Sequence, residues 1–364
     1  MYLPAHGGNV FRVAKQMGIP ANKIIDFSAN INPLGFPNIV RRVIEEHIDD
    51  IVHYPDMEQS EIKRSAAKYY NTAVENIIPG NGSVELINII LETLKPSKVL
   101  IPSPTFSEYA RLANNRNIDI QLLDITQNDF KFNKKLFNKI QKSITTNTLL
   151  MICNPNNPTG NLIAKKDLEY VLEELKKTDS FMLVDEAFMD FVEEPQSMVK
   201  SINKNDNLII LKSLTKFFAV PGIRIGFALS NEELINRMNK LKDPWNVNTF
   251  AGLIVNVVLE EDNYIQTTRK FINTEKDFLW KRLDEVETLY PFYPSANFIL
   301  VRSDFIKAPE MAQELRKKGI LIRQCQNFDF LDESFFRVAV KDRKSNEALV
   351  SAIKTVLLEK KESK

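Results

Sequence analysis

Five short apolar, β-branched runs constrain the fold of this chain more than any other feature. They are "KVLIP" (98–102), "NTLLMICNP" (147–155), "SFMLVDEAF" (180–188), "NLIILKSL" (207–214) and "IRIGFALS" (223–230), bounded by Pro, Asn or Asp. Helical patterns lie among them. In "KKDLEYVLEELKK" (165–177), Leu168, Val171, Leu172 and Leu175 fall on one helical face. "VELINIILETL" (84–94) does the same just after a Gly-Asn-Gly-Ser turn. Strands alternating with amphipathic helices predict a mostly parallel sheet wrapped by helices, an α/β fold.

Beyond "KDPWNVNTF" (242–250) the pattern changes. A helical stretch runs to about residue 285, and strand candidates follow at 296–302, 319–325 and 335–340. This predicts a small α+β domain, with Pro244 marking the boundary. The charged end "LLEKKESK" reads as a solvated helix terminus. With 364 residues the chain can bury a large core. Forty-eight basic and 47 acidic residues leave a net charge of +1, which is no footprint for nucleic acid. Cys153 and Cys325 are far apart and without metal-ligand spacing, so a reducing compartment is expected, with no disulfide framework and no metal site. The start lacks a charged segment followed by an apolar one, and no apolar run approaches the roughly 20 residues that span a bilayer. A cytoplasmic protein that binds no membrane is the expectation.

Several strand ends carry unusual chemistry. In "SLTKFFAVPGIRIG" (213–226), Lys216 follows an apolar strand, at the carboxyl edge where open α/β sheets place ligands. A lysine desolvated there deprotonates more easily and can attack a carbonyl to form an imine. Ser213 and Arg224 nearby suit a phosphate. Alone, such a lysine reads equally as a surface residue. "LLMICNPNNPTG" (149–160) crowds three amides at a strand end, where Asn157 could meet a ring oxygen, although turn chemistry explains its prolines and glycine. Asp185 ends an apolar strand and needs a partner such as a protonated ring nitrogen, or else caps the next element. The turn before 84–94 offers the amides near Gly82, Ser83 and Val84 to an anion, or is a plain helix cap. Phe106 in "PSPTFSEY" (102–109) could stack on a flat ring or belong to the core.

One ligand unites these stretches: a phosphorylated pyridine aldehyde. Their order and spacing resemble the fold-type I pyridoxal-phosphate enzymes of the class I/II aminotransferase family, from "SANINPLG" (28–35) to "FFRVAV" (335–340). The resemblance implies pyridoxal 5'-phosphate as cofactor, a large domain with a seven-stranded sheet and a smaller one, and a homodimer with shared active sites. It assigns the imine to Lys216, the ring nitrogen to Asp185, the ring oxygen to Asn157, stacking to Phe106, and the phosphate to Gly82, Ser83, Val84, Ser213 and Arg224. Tyr54 would reach the cofactor phosphate of the neighbouring subunit, and Arg337 matches the substrate-carboxylate arginine. The expected division is an N-terminal segment 1–30 packing with the small domain, a large domain 31–243 and a small domain 244–364.

Two groups of this family handle small phosphorylated amines: the threonine-phosphate decarboxylases and the histidinol-phosphate aminotransferases. Phe188 stands where the aminotransferases usually carry a tyrosine. The opening "HGGN" (6–9) resembles the decarboxylases. The expected reading is therefore a lyase of phosphothreonine in cobalamin synthesis, the aminotransferase being the alternative. Gly8, Asn9, Asn32, Asn157, Arg323 and Arg337 would contact the substrate, and His6 could assist or merely stabilise a turn. A pyridoxal-phosphate-sensing regulator would carry a DNA-binding module in front, and only about 25 residues precede the family-like region. A lysine aldolase would leave Asp185 and the phosphate cup idle.

Overall fold

In the computed structural model, which describes residues 7–362, seven strands form the larger sheet. Their spatial order is Ile77–Gly80, Gly226–Leu229, Leu208–Ser213, Phe181–Asp185, Thr148–Cys153, Lys98–Ser103 and Asp119–Asp124. Gly226–Leu229 is antiparallel to both neighbours and the other pairings are parallel. The central strands are buried on both faces, which is why they read as unbroken apolar runs. Their side chains alternate between two cores. Leu149, Met151, Leu183, Ile209 and Leu211 pack with helices Ser83–Leu94 and Glu108–Asn114, whereas Leu150, Ile152, Met182, Val184 and Ile210 join the opposite layer. Helix Lys165–Lys176 buries Leu168, Val171, Leu172 and Leu175, as its periodicity requires.

A second sheet of four antiparallel strands runs Arg323–Gln324, Phe335–Ala339, Phe298–Ser303 and Leu289–Pro291. The N-terminal segment is tied to it. Ile25–Asp26 pairs parallel with Ile320–Leu321, and Ala339 donates its backbone N–H to the Phe27 carbonyl at 2.8 Å.

The chain departs from its sequence pattern in three places. The helical stretch after residue 248 is two helices, Thr249–Val258 and Asp262–Asp284. The first packs on Asn38–Glu46 and Ser60–Tyr70, with Gly252 against Ile62, whereas the second packs on Arg343–Glu362 and Leu289–Pro291. The change of neighbours thus falls between these helices, beyond Pro244. The run 319–325 is divided between two sheets. The run 223–230 forms a strand only from Gly226, because Pro221–Ile223 is a 3-10 turn and Arg224 is left-handed at φ 58°.

Candidate active site

Strand Leu208–Ser213 passes directly into the short helix Leu214–Phe217, which places Lys216 at the sheet's carboxyl edge. Its Nζ donates to Ser213 Oγ at 3.1 Å, and Ser213 Oγ lies 2.9 Å from Thr215 Oγ1. Burial pushes the ammonium below the usual lysine range, the Asp185 carboxylate opposes this, and the Arg224 cation adds to it. Lys216 is therefore more easily deprotonated than a surface lysine. Antiparallel pairing sets Gly226 opposite both Ser213 and Gly80. This brings Ser213 to the start of helix Ser83–Leu94, whose first amides have no intrahelical acceptor. Gly82 caps that helix at φ 81°, and a Cβ there would sit 2.5 Å from Arg224 Nη2. Its own N–H is taken by the Gly80 carbonyl at 2.7 Å. So Gly82 makes room, while Ser83 and Val84 present the helix-start amides. Two amides, a hydroxyl and a guanidinium at a helix N-terminus make an anion cradle.

Asp185 ends its strand opposite Cys153. It faces the layer that contains Tyr109, and Tyr109 Oη donates to its Oδ2 at 2.7 Å. Oδ1 accepts the Ala187 N–H at 3.0 Å. Burial raises the carboxyl above its ordinary value, while the Tyr109 hydrogen bond, the Lys216 ammonium and the Ala187 amide pull it back. Glu186 points to the opposite face, where Lys212 at 2.7 Å, Ser197 Oγ and the Met198 amide satisfy it. Phe106 meets the Tyr109 ring edge-on at 5.5 Å. Sequence reasoning named Phe106 and passed over Tyr109, although both lie in "PSPTFSEY". No motif marks a tyrosine whose partner is 76 residues away.

The crowded amides have separate tasks. Asn154 brackets Ile163 through both its backbone groups, and Asn156 links Thr105 and the Pro104 carbonyl. Asn157 Oδ1 accepts from Arg337 Nη1, and Arg337 Nη2 donates to the Ser28 carbonyl at 2.9 Å. Arg337 lies 5.3 Å from the Phe298 ring, and Phe188 packs edge-on against that ring at 4.9 Å. The Arg337 Nε has no hydrogen-bond partner among the described residues, and burial pulls the guanidinium down to about 10. Arg323 sits directly across the strand pair from Arg337, with Nη2 on Asn327 Oδ1 at 2.8 Å. Two buried cations side by side, one with an open donor, favour an anionic visitor.

The N-terminal segment reaches this group through Ser28. Gly8 donates its N–H to Ser28 Oγ at 2.9 Å, and Gly8 itself is left-handed at φ 84°. Asp26 Oδ1 in turn accepts both the Ser28 hydroxyl and its amide. Neither Ser28 nor Asp26 was marked by the sequence reading, because their role appears only where Arg337 arrives from the distant strand. Asn9 precedes helix Val10–Met17, its carbonyl accepting from Val13 N at 3.0 Å. His6 lies outside the described residues. Asn32 Nδ2 is engaged with the Phe217 carbonyl, Tyr264 and Thr268, while its N–H donates to the Lys216 carbonyl at 3.0 Å. It braces the lysine turn. Tyr54 is 81% exposed against Trp245, and within one chain it does not join the other residues.

Comparison with known proteins bears on the family and the fold. The model of the family "Aminotransferase class I and II" matches residues 22–353. A protein of Caldanaerobacter subterraneus subsp. tengcongensis, named as a candidate threonine-phosphate decarboxylase, is 36% identical over 352 residues, 96% of this chain and 93% of its own length. The threonine-phosphate decarboxylase of Salmonella typhimurium is 32% identical over 359 residues, covering 98% of each chain. Among solved structures, the histidinol-phosphate aminotransferase from Clostridium acetobutylicum superposes with a TM-score of 0.85 at 31% identity, over 92% of this chain and 99% of that one. By sequence, fold and the match across most of its length, this chain belongs to the aminotransferase class I and II family.

Proposed function

We propose that the protein is a pyridoxal-phosphate lyase that converts L-threonine O-3-phosphate to (R)-1-aminopropan-2-yl phosphate and carbon dioxide, within cobalamin synthesis. The residues present suit the cofactor. The Ser83 and Val84 amides, Ser213 and Arg224, with the space that Gly82 leaves, would hold its phosphate, the buried Asp185 carboxylate would meet its ring nitrogen, Asn157 its ring oxygen, and Phe106 would stack on the ring. When bound, pyridoxal phosphate supplies an electron sink for the bond that breaks.

The chain's own part is to hold and aim. Lys216 offers an amine kept easily deprotonated by burial and by the Arg224 cation, which suits both capture of the cofactor and later proton transfer at Nζ. Arg337, fixed by Asn157 and Ser28, retains its Nε toward an anion, and Arg323 lies beside it. These two arginines would divide the substrate phosphate and carboxylate between them. Holding the substrate by both ends would fix its orientation in the site, and with it which of its bonds is presented to the cofactor.

The observation that supports the choice of reaction is the Gly8 N–H on Ser28, since Gly7 and Gly8 of the opening stretch lie against the residue whose carbonyl holds Arg337. Phe188 supports the same choice: it is buried, and the family resemblance sets it where the aminotransferases usually carry a tyrosine, whose hydroxyl it lacks. The histidinol-phosphate aminotransferase reading is favoured by the Clostridium structure, at 31% identity. Purified protein given phosphothreonine without 2-oxoglutarate should release carbon dioxide over many turnovers. No release, together with glutamate-dependent amination of imidazole-acetol phosphate, would overturn the lyase. We further propose a cytoplasmic homodimer with active sites shared between subunits, and a division into segment 1–30, large domain 31–243 and small domain 244–364, with helix Thr249–Val258 packing on the large domain. No helix among the described residues is long and apolar enough to cross a membrane.

A further inference from the structure

We propose that Tyr109 is the positioning residue that holds Asp185 ionised and fixed in plane toward the ring nitrogen of the cofactor, an inference that rests on the pyridoxal-phosphate reading above. A carboxylate on a short side chain turns broadly about its last torsion unless both oxygens are held. Here each oxygen has one anchor: Ala187 N–H on Oδ1 at 3.0 Å and Tyr109 Oη on Oδ2 at 2.7 Å. Each oxygen can accept two hydrogen bonds, so a lone pair remains for the site. The two anchors together define the plane in which those lone pairs point.

The surroundings make the hydroxyl matter. Tyr109 is fully buried and Asp185 nearly so. Where water is excluded, a missing donor is not replaced by solvent. Cys153, opposite Asp185 on the next strand, adds no charge of its own, since burial pushes its thiol up to about 12. The Tyr109 phenol is also held well above its ordinary value by burial and by the Asp185 charge, so it stays protonated and donates. Loss of the hydroxyl would leave the Ala187 amide and the Lys216 charge to oppose the burial of Asp185, and its carboxyl would bind a proton at higher pH.

The same loop sets the ring's other contact. Phe106 precedes Tyr109 by three residues and packs edge-on to it. Thr105 and the Pro104 carbonyl are bound by Asn156, which fixes the loop to the strand end that carries Asn157. The segment 104–109 thus ties the flat face of the site to its charged end.

Tyr109→Phe keeps the ring and its contact with Phe106 and removes only the donor. The holoenzyme variant should release pyridoxal phosphate about ten-fold faster, as expected for losing one hydrogen bond to a charge. The pH midpoint of its visible absorbance should move upward on the acid side, and kcat should fall about ten-fold or more with KM little changed. In an Asp185→Asn background the same substitution should add almost nothing, since its partner charge is gone. The proposal is overturned if the two substitutions add, or if Tyr109→Phe lowers thermal stability while release rate and absorbance midpoint stay put. If wild-type protein takes up no pyridoxal phosphate at all, the cofactor reading fails and the proposal with it. Uptake by wild type with an indifferent Tyr109→Phe variant sinks the proposal alone.

Discussion

A side chain at Gly7 would set its Cβ 2.0 Å from the Ser28 carbonyl oxygen, well inside any tolerated contact. That oxygen also accepts from Arg337, so one carbonyl joins the N-terminal segment to the arginine pair. Gly7→Ala must push the segment off Ser28 and break the Gly8 hydrogen bond. Lys216, Asp185 and the phosphate cradle lie elsewhere, so pyridoxal-phosphate affinity should hold within about two-fold while KM for phosphothreonine rises about ten-fold, a cost near 1.4 kcal/mol. Steady-state kinetics beside a cofactor titration checks both halves, and an unchanged KM would count against a substrate role for this segment. Deleting residues 1–9 should have the same effect in stronger form. At this scale the residues proposed to bear the chemistry were legible wherever a strand end or turn confined them, as with Lys216, Asp185 and Asn157. Ser28, Asp26 and Tyr109 were not, because an ordinary residue becomes a site residue only through a partner that arrives from far along the chain. Asn32 was named for the substrate, yet its amide nitrogen is taken up by Phe217, Tyr264 and Thr268. No spacing rule distinguishes an amide facing a ligand from one facing the fold.

Helix Ser83–Leu94 depends on how the strand before it ends. Ile77–Gly80 closes on Pro79 and Gly80, which read as a turn, and only its pairing with Gly226–Leu229 makes it the edge of the sheet. Asp119–Asp124 was missed for another reason: as the opposite edge it is only partly buried, and its polar residues break the apolar run. The central strands, buried on both faces, had no such ambiguity. The split of 319–325 could not be read from composition, since one residue separates Ile320–Leu321 from Arg323–Gln324 and only their partners assign them to different sheets. An element-level test follows from Gly82, where the helix starts at φ 81° with Arg224 against it. Gly82→Ala strains the backbone and displaces the guanidinium, costing about 1–2 kcal/mol of anion affinity. The apo protein should bind pyridoxal phosphate roughly ten-fold more weakly, measured by equilibrium dialysis. Gly35 is the control. Its φ is 74° and nothing lies within 4 Å of an added Cβ, so Gly35→Ala should lower the melting temperature and leave affinity alone. Equal loss of affinity in both variants would mean that Gly82 acts through general stability.

For the whole molecule, the exposed surface bears on how many chains make a site. Ile48, Ile51, Val52, Tyr54 and Met57 are all exposed within one short stretch, and Trp245 rests on Tyr54. Large apolar side chains gathered in this way mark a surface meant to be covered. In the proposed homodimer, Tyr54 completes the phosphate cradle of the other subunit, so each site takes Lys216 from one chain and Tyr54 from its partner. Two defective chains can then repair each other. Tyr54→Ala should bind the cofactor weakly, and Lys216→Ala should be inactive. If equal amounts are unfolded and refolded together, about half the dimers are mixed, and each mixed dimer has one site with both residues intact and one with neither. Activity should rise to about a quarter of wild type per chain, whereas the parents refolded separately and then combined should show only the average of the two. Sedimentation of wild type should give a dimer, and the gain should disappear when refolding is dilute enough to leave monomers. A refolded mixture no more active than that average, from chains that do dimerise, would place Tyr54 in its own subunit's site or in none.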